Sequence, residues 1–283
     1  MAGGEATRAS RWIETPEGLR ALALFTFVFV CAIAREGPLA YEEPAFFANP
    51  GFLFEPWNGA LAVFGRASFG IAHLIGDPSV TRLIAAGVIG LVAIYLARVS
   101  VPGAISLGLL PIAYPGPYIG PLNSQWFFAI AILVMATEAP RRWHPWALFV
   151  AGISGLAPCL MAPVFRDRRA EVLLACGAVQ LAILATSGRH PLGLSADPTY
   201  LLLAALLLLS LIRSRLPTRT RLVFAYGGLA IIAAAVIAAG TVTGQGRYLT
   251  VPMTGIVVGF GSGFRTSRRL SGRDEPETPV VAV

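Results

Sequence analysis

Long apolar runs separated by short polar segments occupy most of the 283-residue chain. The runs cover 19–34, 57–76, 80–97, 102–120, 124–138, 145–165, 170–186, 198–213, 220–240 and 248–264. About 20 apolar residues is the length of helix that crosses a bilayer, and backbone inside lipid must satisfy its own hydrogen bonds. The pattern therefore predicts an all-α, polytopic helical membrane protein.

Two of these runs differ from simple membrane spans. The run 57–76 contains Arg66 and His73, which are seven residues apart and so share one helical face. This spacing is typical of an amphipathic helix at the membrane interface. The run 145–165 is interrupted by the sequence GLAP at 155–158, which predicts a re-entrant hairpin. The chain is therefore predicted to have about eight spans, a re-entrant hairpin and an interfacial helix, with ten simple spans as the alternative.

Composition and charge agree with this class and orient the chain. Hydrophobic residues make up 55% and charged residues 13%, whereas a soluble domain carries about a quarter charged residues. All 22 basic residues are arginine, and basic residues in membrane proteins mark mainly the cytoplasmic face. The eight-span threading puts seventeen arginines inside, whereas the ten-span threading leaves Arg141 and Arg142 outside. The eight-span threading is favoured.

Both threadings put the two termini in the cytoplasm. The chain then divides into a cytoplasmic segment 1–18, a membrane domain 19–264 and a cytoplasmic tail 265–283. The net charge of +7 is explained by cytoplasmic arginine, so it predicts no nucleic-acid partner. Membrane lipids are expected partners, and no Cys or His spacing suits zinc.

In the eight-span threading, several polar segments share the outer face. They are the acidic loop at 36–55, the sequence NSQW at 123–126, the break at 155–158 and the sequence GRY at 246–248. Polar groups gathered beside irregular backbone in a membrane protein favour a functional site over unrelated loops.

The same segments, in this order, resemble the GT-C superfamily of polytopic membrane glycosyltransferases, in particular its bacterial members. The similar fragments are YEEPAFFANPGFLFEPWNGALAVFGR, NSQWFFAIAILVMA, GISGLAPCLMAPVFRDRR and GRYLTVP. The resemblance implies a transferase in the bacterial cytoplasmic membrane that takes a sugar from a polyprenyl-phosphate carrier on the extracytoplasmic side. It also implies an acidic residue in the first outer loop, acting as a base or as a ligand of a divalent cation. The matching positions are Glu42 and Glu43, followed by Glu55.

Glycosyl transfer to a hydroxyl needs a base near the acceptor and a cation near the leaving phosphate. Glu42 and Glu43 are the candidate catalytic carboxylates, and the alternative for each is a solvated loop acid. Arg247 is the candidate phosphate-binding group, because a guanidinium matches a phosphate bidentately. Tyr248 would stack on the sugar or the isoprenoid. The alternative for Arg247 is an interfacial anchor.

Three further residues are candidates for substrate binding. Arg66 lies in an apolar helix, where a charge needs a partner, so we expect it to pair with a loop glutamate. Asn123 and Gln125 would either hydrogen-bond a sugar or cap the helix that follows them. These residues, the loop glutamates and Arg247 are expected to converge on one outer cavity.

Two functions from different classes remain open on the sequence. The first is a transferase, which would need an apolar groove for the polyprenyl tail between 124–138 and the hairpin, where Gly152, Gly155 and Ala157 leave space. The second is a non-catalytic subunit that keeps a GT-C-like fold and packs against other membrane proteins. The loop at 36–55 contains no aspartate, which keeps this second function open.

Overall fold

The computed structural model describes residues 15–34, 43–56, 60–113, 123–187, 197–237 and 249–263. In these ranges the backbone forms twelve α-helices and one 3-10 helix at Ala162–Val164. The α-helices are α1 (Pro16–Ile33), α2 (Glu43–Ala48), α3 (Val63–Ile75), α4 (Ser79–Leu96), α5 (Val101–Ala113), α6 (Ser124–Thr137), α7 (His144–Gly152), α8 (Leu156–Cys159), α9 (Arg168–Ser187), α10 (Thr199–Arg213), α11 (Thr218–Ile237) and α12 (Thr250–Gly261). Each predicted apolar run contains a helix, so the all-α class is confirmed.

Four of these helices, α1, α4, α9 and α11, are long and apolar enough to cross a membrane. Helices α3, α6, α10 and α12 are apolar and shorter. The 13 residues of α3 rise about 20 Å, which is less than the roughly 30 Å of a hydrocarbon core. Because α6, α10 and α12 are similarly short, length does not set α3 apart, and an interfacial position for 57–76 stays a prediction.

Helix α1 begins three residues before the predicted start of the membrane domain. The Thr15 hydroxyl accepts a hydrogen bond from the backbone N–H of Gly18 at 3.1 Å, and Pro16 occupies the first turn. A side-chain cap followed by proline is a strong helix start, so the helix includes the polar residues before the apolar run.

Helix α6 lies at the centre of the described bundle. It contacts α4, α7, α8, α11 and α12, and most of its apolar side chains are buried, on more than one face of the helix. A helix that is hydrophobic all round belongs in the interior of a bundle. The fragment that begins at Asn123 is therefore the central element against which the candidate site is built.

Small residues let neighbouring helices approach closely. Gly255 and Gly259, one turn apart on α12, face α10: a Cβ on Gly255 would lie 2.7 Å from Leu207, and one on Gly259 would lie 2.7 Å from Ser210. Either side chain would have to displace its neighbour. This spacing of small residues is the usual packing device of helices in membranes.

Residues 144–165 follow a path that enters and returns at the same end of α6. Helix α7 starts beside the end of α6, where the backbone N–H of Arg141 donates to His144 Nδ1 at 3.3 Å. At the other end of α6, the backbone at Gly155 closely approaches Gln125. The chain then returns, and Arg169 Nη1 donates to Met135 O at 2.9 Å. The predicted hairpin path is confirmed.

Arg66 and His73 share one face of α3, as their spacing predicts. That face packs on the segment that includes α2: the Arg66 guanidinium lies 5.0 Å from the centre of the Phe46 ring. His73 Nδ1 lies 2.9 Å from Phe47 O. Preceding residues of the same chain therefore cover Arg66, whereas His73 contacts them and stays exposed.

Arginines gather at the end of the bundle where α6 ends, called here the arginine-rich end. Contacts between the termini of several helices define it: Arg98 pairs with Glu138, and the Arg215 backbone N–H donates to Gly263 O. Its described arginines are Arg98, Arg141, Arg142, Arg166, Arg168, Arg169, Arg213, Arg215, Arg219 and Arg221. The opposite end, where α6 begins and the hairpin turns, is called here the hairpin-tip end.

Candidate functional site

Arg66, on the first turn of α3, is a buried charge beside the hairpin tip, with a side chain only 5% exposed. Its Nη1 donates to Pro50 O at 2.6 Å and lies 3.3 Å from Glu55 Oε2. Its Nη2 donates to Pro56 O at 3.4 Å. The Nε–H has no hydrogen-bond partner within the described residues. The expected pairing of Arg66 with a loop glutamate is therefore present, and Nε is the guanidinium nitrogen left without a partner among the described residues.

Glu55, the partner of Arg66, remains accessible, because 56% of its side-chain surface is exposed. Its Oε2 also accepts a hydrogen bond from the backbone N–H of Phe52 at 3.3 Å. Among the described residues the other oxygen, Oε1, forms no hydrogen bond or ion pair. The carboxylate is thus fixed through one oxygen and open at the other.

Gly51 makes this arrangement sterically feasible. Its φ of 65° lies in the left-handed region, which glycine adopts at little cost. A Cβ at this position would collide with Glu55 Oε2 and would lie 2.6 Å from Arg66 Nη1. The loop therefore requires glycine here, both for its backbone conformation and for room beside the ion pair.

The hairpin tip is fastened to the start of α6 by Gln125. The Gln125 Oε1 accepts a long hydrogen bond from the Ala157 N–H at 3.5 Å. A Cβ on Gly155 would overlap the Gln125 side chain and would lie 2.7 Å from its Cβ. The space expected at Gly155 for a lipid groove is therefore filled by Gln125, and that at Gly152 by Cys176.

The same tip also holds the start of α3. The backbone N–H of Val63 donates to Ile153 O at 3.4 Å, and that of Phe64 donates to Ser154 Oγ at 3.3 Å. The Phe64 ring packs edge-on against Phe128 of α6, with 5.2 Å between ring centres. Three of the fragments that carry the GT-C resemblance are thus in contact around the tip.

Gln180 is a structural residue of this site that the sequence analysis missed. It is fully buried within α9, and its Oε1 accepts from the Leu61 N–H at 2.7 Å. Its Nε2 donates to Gly152 O at 2.9 Å and to Leu61 O at 3.3 Å. The signal for it is a single amide in an otherwise apolar run, since an unpaired polar group inside a membrane is costly.

Several predicted site residues cannot be compared with this geometry. Glu42, Arg247 and Tyr248 lie outside the described residues, and Glu43 begins α2 with a side chain that is also outside them. Their convergence with Arg66 on one cavity stays a prediction. Within the described ranges, no three His, Cys, Asp or Glu side chains are grouped to hold a metal. The candidate divalent cation therefore depends on Glu42 and Glu43.

The capping role expected for Asn123 is wrong in detail. Asn123 occupies the N-cap position of α6, but its side chain forms no capping hydrogen bond, and its backbone has φ −86° and ψ −4°. A side-chain cap requires extended backbone at that position. Asn123 is instead a buried residue at the start of the central helix.

The arginine-rich end contains a second buried cation, Arg169, with a side chain 4% exposed. Its Nε and Nη2 donate to the two carboxylate oxygens of Asp167 at 2.8 to 3.1 Å. Its Nη1 donates to Met135 O and lies 3.3 Å from His144 Nδ1. Its guanidinium lies 4.6 Å from the centre of the Phe165 ring. This network joins both limbs of the hairpin to α6.

Glu138, just after α6, is the other anionic centre of this end. Its Oε2 accepts from the Tyr95 hydroxyl at 2.9 Å, and its Oε1 accepts from Arg98 Nη1 at 3.1 Å. Arg141 Nη2 lies 3.3 Å from Oε2. Burial alone would raise the pKa of Glu138, but these hydrogen bonds and the positive charges outweigh it and lower that pKa.

Asp167 is held in its charged form by its neighbour. The hydrogen bonds from the Arg169 side chain lower the pKa of Asp167, and the more distant charge of Arg219 acts in the same direction. Glu138 and Asp167 are therefore both committed to arginine partners.

An apolar groove separates α6 from α7. Its cavity volume is about 390 Å³. It is lined by Phe128, Ala131, Ile132 and Met135 from α6 and by Trp143, Trp146, Ala147, Val150 and Ala151 from α7 and the residue before it. A groove between these two elements was predicted from the sequence, but the observed one runs toward the arginine-rich end instead of opening at Gly155.

Comparisons of the chain with protein-family models, with curated proteins and with solved structures find no match. A functional assignment therefore depends on the residues and contacts described above.

Proposed function

We propose that this chain is a GT-C-like membrane glycosyltransferase that uses a polyprenyl-phosphate-linked sugar at the hairpin-tip end. The observation that carries the proposal is the Arg66–Glu55 pair: a buried guanidinium, whose Nε–H has no partner within the described residues, holds a half-exposed carboxylate by one oxygen. A charge buried in an apolar bundle is costly and is typically retained for function.

The reaction needs a base and a stabiliser of the leaving phosphate. An acceptor hydroxyl attacks the anomeric carbon of the sugar, the bond from that carbon to the phosphate oxygen breaks, and polyprenyl phosphate leaves with the bonding electrons. The hydroxyl proton passes to a carboxylate. Among the described residues, Glu55 has a carboxylate oxygen that is open for this proton.

The remaining roles follow the GT-C resemblance. Glu42 and Glu43 are further candidates for the base, Arg247 for the group that binds the phosphate, and Tyr248 for stacking. Gln125 is already bonded to the hairpin, so we assign it to holding the tip in position. A cation opposite the leaving phosphate stabilises the charge that develops there.

Contact among the fragments supports this proposal. The segment ending at Arg66, the start of α6 and the hairpin are far apart in sequence, yet Phe64 contacts both Ser154 and Phe128.

The test of this function follows release of polyprenyl phosphate. The protein is reconstituted in liposomes with polyprenyl-phosphate-linked hexoses and pentoses and a membrane extract as acceptor, and free polyprenyl phosphate is measured by mass spectrometry. Wild type is expected to release it, and Glu55→Gln to lower the rate at least about 100-fold, since a positioned base contributes roughly 10²–10⁴. Asp77→Asn, at an exposed acid in the turn after α3, is the matched control and should retain the rate.

A non-catalytic subunit is the second candidate function, and one observation favours it. Beside Glu55 the loop exposes Phe52 by 71% and Phe54 by 51%. Exposed aromatic groups next to one another are typical of partner surfaces. Two results together would favour the subunit over the enzyme. Wild-type protein would release no polyprenyl phosphate, and Phe52→Ser would lose a membrane protein that co-purifies with wild type.

The orientation proposed is that the arginine-rich end and both termini are cytoplasmic, in a bacterial cytoplasmic membrane. The support is the number of arginines at that end, compared with Arg66 and Arg82 near the other. Cysteine at position 142 should resist a membrane-impermeant maleimide applied to intact cells, and cysteine at exposed position 77 should react. Reaction at position 142 without reaction at position 77 would show that the protein has the opposite orientation in the membrane.

A further inference from the structure

The groove between α6 and α7 is an apolar site whose mouth is cationic. Its lining side chains include Met135, Val150 and two tryptophans, and none is charged. Its volume of about 390 Å³ falls within the roughly 300–1,000 Å³ of small-molecule sites. Such a lining accepts a hydrocarbon chain and offers nothing to a polar molecule.

Among the described residues, the positive charge at the mouth exceeds the negative charge. Glu138 is the one carboxylate shared by Arg98 and Arg141. Arg142, next to the groove residue Trp143, is exposed and forms none of the ion pairs of the described chain. At least one full positive charge therefore faces outward beside the opening.

The two tryptophans at this mouth are suited to a lipid boundary. Trp146 is 73% exposed and Trp143 is 44% exposed, and the Trp143 ring packs edge-on against Tyr95 at 6.2 Å. Indole rings prefer the interfacial region, where one side contacts hydrocarbon and the N–H contacts water. The groove thus begins among interfacial groups and continues into apolar ones.

We propose that this groove binds an anionic phospholipid, with one acyl chain between α6 and α7 and the phosphate on Arg142 and Arg141. Charge complementarity decides the occupant. A zwitterionic phospholipid would bring its own cation beside the exposed Arg142, whereas the phosphate of a net anionic lipid accepts guanidinium N–H groups without adding a positive charge. This site lies at the opposite end from Arg66 and does not depend on the proposed transferase activity.

The test uses tryptophan quenching by lipids brominated on the acyl chain. The protein is reconstituted in phosphatidylcholine vesicles that contain either brominated phosphatidylglycerol or brominated phosphatidylcholine at equal mole fraction. Brominated phosphatidylglycerol should quench wild type more strongly. Arg142→Gln, which removes no internal ion pair, should lower this preference about fivefold, because each arginine near an anionic surface contributes on that scale.

Two variants control the experiment. Arg168→Gln removes an exposed arginine from the same end, away from the groove lining, and should keep the preference for the anionic lipid. Ala147→Phe fills the groove and should lower quenching by both lipids. Equal quenching of wild type by the two lipids would overturn the proposal. So would an unchanged preference in Arg142→Gln, or an equal loss in Arg168→Gln, which would indicate a diffuse surface charge.

Discussion

Two buried arginines, Arg66 near the hairpin tip and Arg169 at the arginine-rich end, are held in different ways. Arg169 donates through Nε and Nη2 to both oxygens of Asp167, through Nη1 to Met135 O, and rests on the Phe165 ring. Arg66 likewise donates to two backbone oxygens and lies over the Phe46 ring. Within the described residues, however, it reaches one carboxylate oxygen, Glu55 Oε2, and its Nε has no partner.

This difference in hydrogen bonding suggests that Arg169 is a structural residue and that Arg66 is a candidate functional residue. A buried cation whose donors are all matched contributes to one defined arrangement of its neighbours. A buried cation with an unmatched donor costs free energy, and such a cost is commonly found at sites where a ligand supplies the missing group. Arg169 therefore fastens the hairpin, whereas Arg66 is available to position a substrate or its base.

The largest effect expected from this comparison is loss of stability in Arg169→Ala. The change leaves Asp167 without its bidentate partner and Met135 O without its side-chain donor, so we expect a loss of about 3 kcal/mol. Unfolding by SDS titration in mixed micelles measures it. Arg168→Ala, at the neighbouring exposed position, should change stability by less than about 0.5 kcal/mol. Equal effects of the two changes would remove the distinction between structural and solvated arginines.

Gly51→Ala is expected to lower stability less than Arg169→Ala does, and to lower activity strongly. The left-handed backbone costs about 1 kcal/mol with alanine, and the new Cβ would push Glu55 away from Arg66. The matched control is Gly76→Ala, because Gly76 has a φ of 79° and open space at its Cβ position. Both variants should lose similar stability, but Gly51→Ala alone should lose release of polyprenyl phosphate.

If Gly76→Ala lost as much activity as Gly51→Ala, backbone strain near α3 would be the cause. The role of the Arg66–Glu55 geometry would then be withdrawn. If neither variant lost activity, Glu55 would be excluded as the base, and Glu42 or Glu43 would be left for that role.

Much of the chain path was predictable because it depends on local patterns. Apolar runs gave the helices, the GLAP sequence at 155–158 gave the hairpin turn, and the isolated charge of Arg66 in an apolar helix predicted a glutamate partner. Each of these follows from the cost of exposing backbone or charge to lipid, so no knowledge of distant contacts was needed.

The parts that were not predictable depend on contacts between distant residues. Gln180 and Leu61 are 119 positions apart, and nothing in either neighbourhood specifies the other. Arg168 and Arg169 are identical in type, yet the phase of α9 exposes the first and buries the second. The groove was expected beside glycines, because a glycine has no side chain. A larger neighbouring side chain can occupy that space, as Gln125 does at Gly155.

The smallest effect expected is a pH dependence at the arginine-rich end. The pKa of Glu138 is lowered below its ordinary value of 4.5. A carboxyl group whose pKa is lower in the folded protein stabilises the fold above its unfolded pKa, and this contribution is lost as the pH falls through the folded pKa. Wild type should therefore be more stable than Glu138→Gln at neutral pH, by about 1 kcal/mol or less because the pair is partly solvated.

Below pH 4.5 the difference between wild type and Glu138→Gln should shrink, since protonation of Glu138 removes the charge that the substitution also removes. SDS unfolding across this pH range measures the difference directly. Glu171→Gln, at an exposed glutamate of α9 that forms no ion pair in the described chain, makes the same chemical change away from Tyr95 and Arg98. A difference that stayed constant down to low pH would mean that Glu138 stabilises this end through the shape of its hydrogen bonds and not through its charge. The contrast between the matched donors of Arg169 and the unmatched donor of Arg66 would then have no support from Glu138.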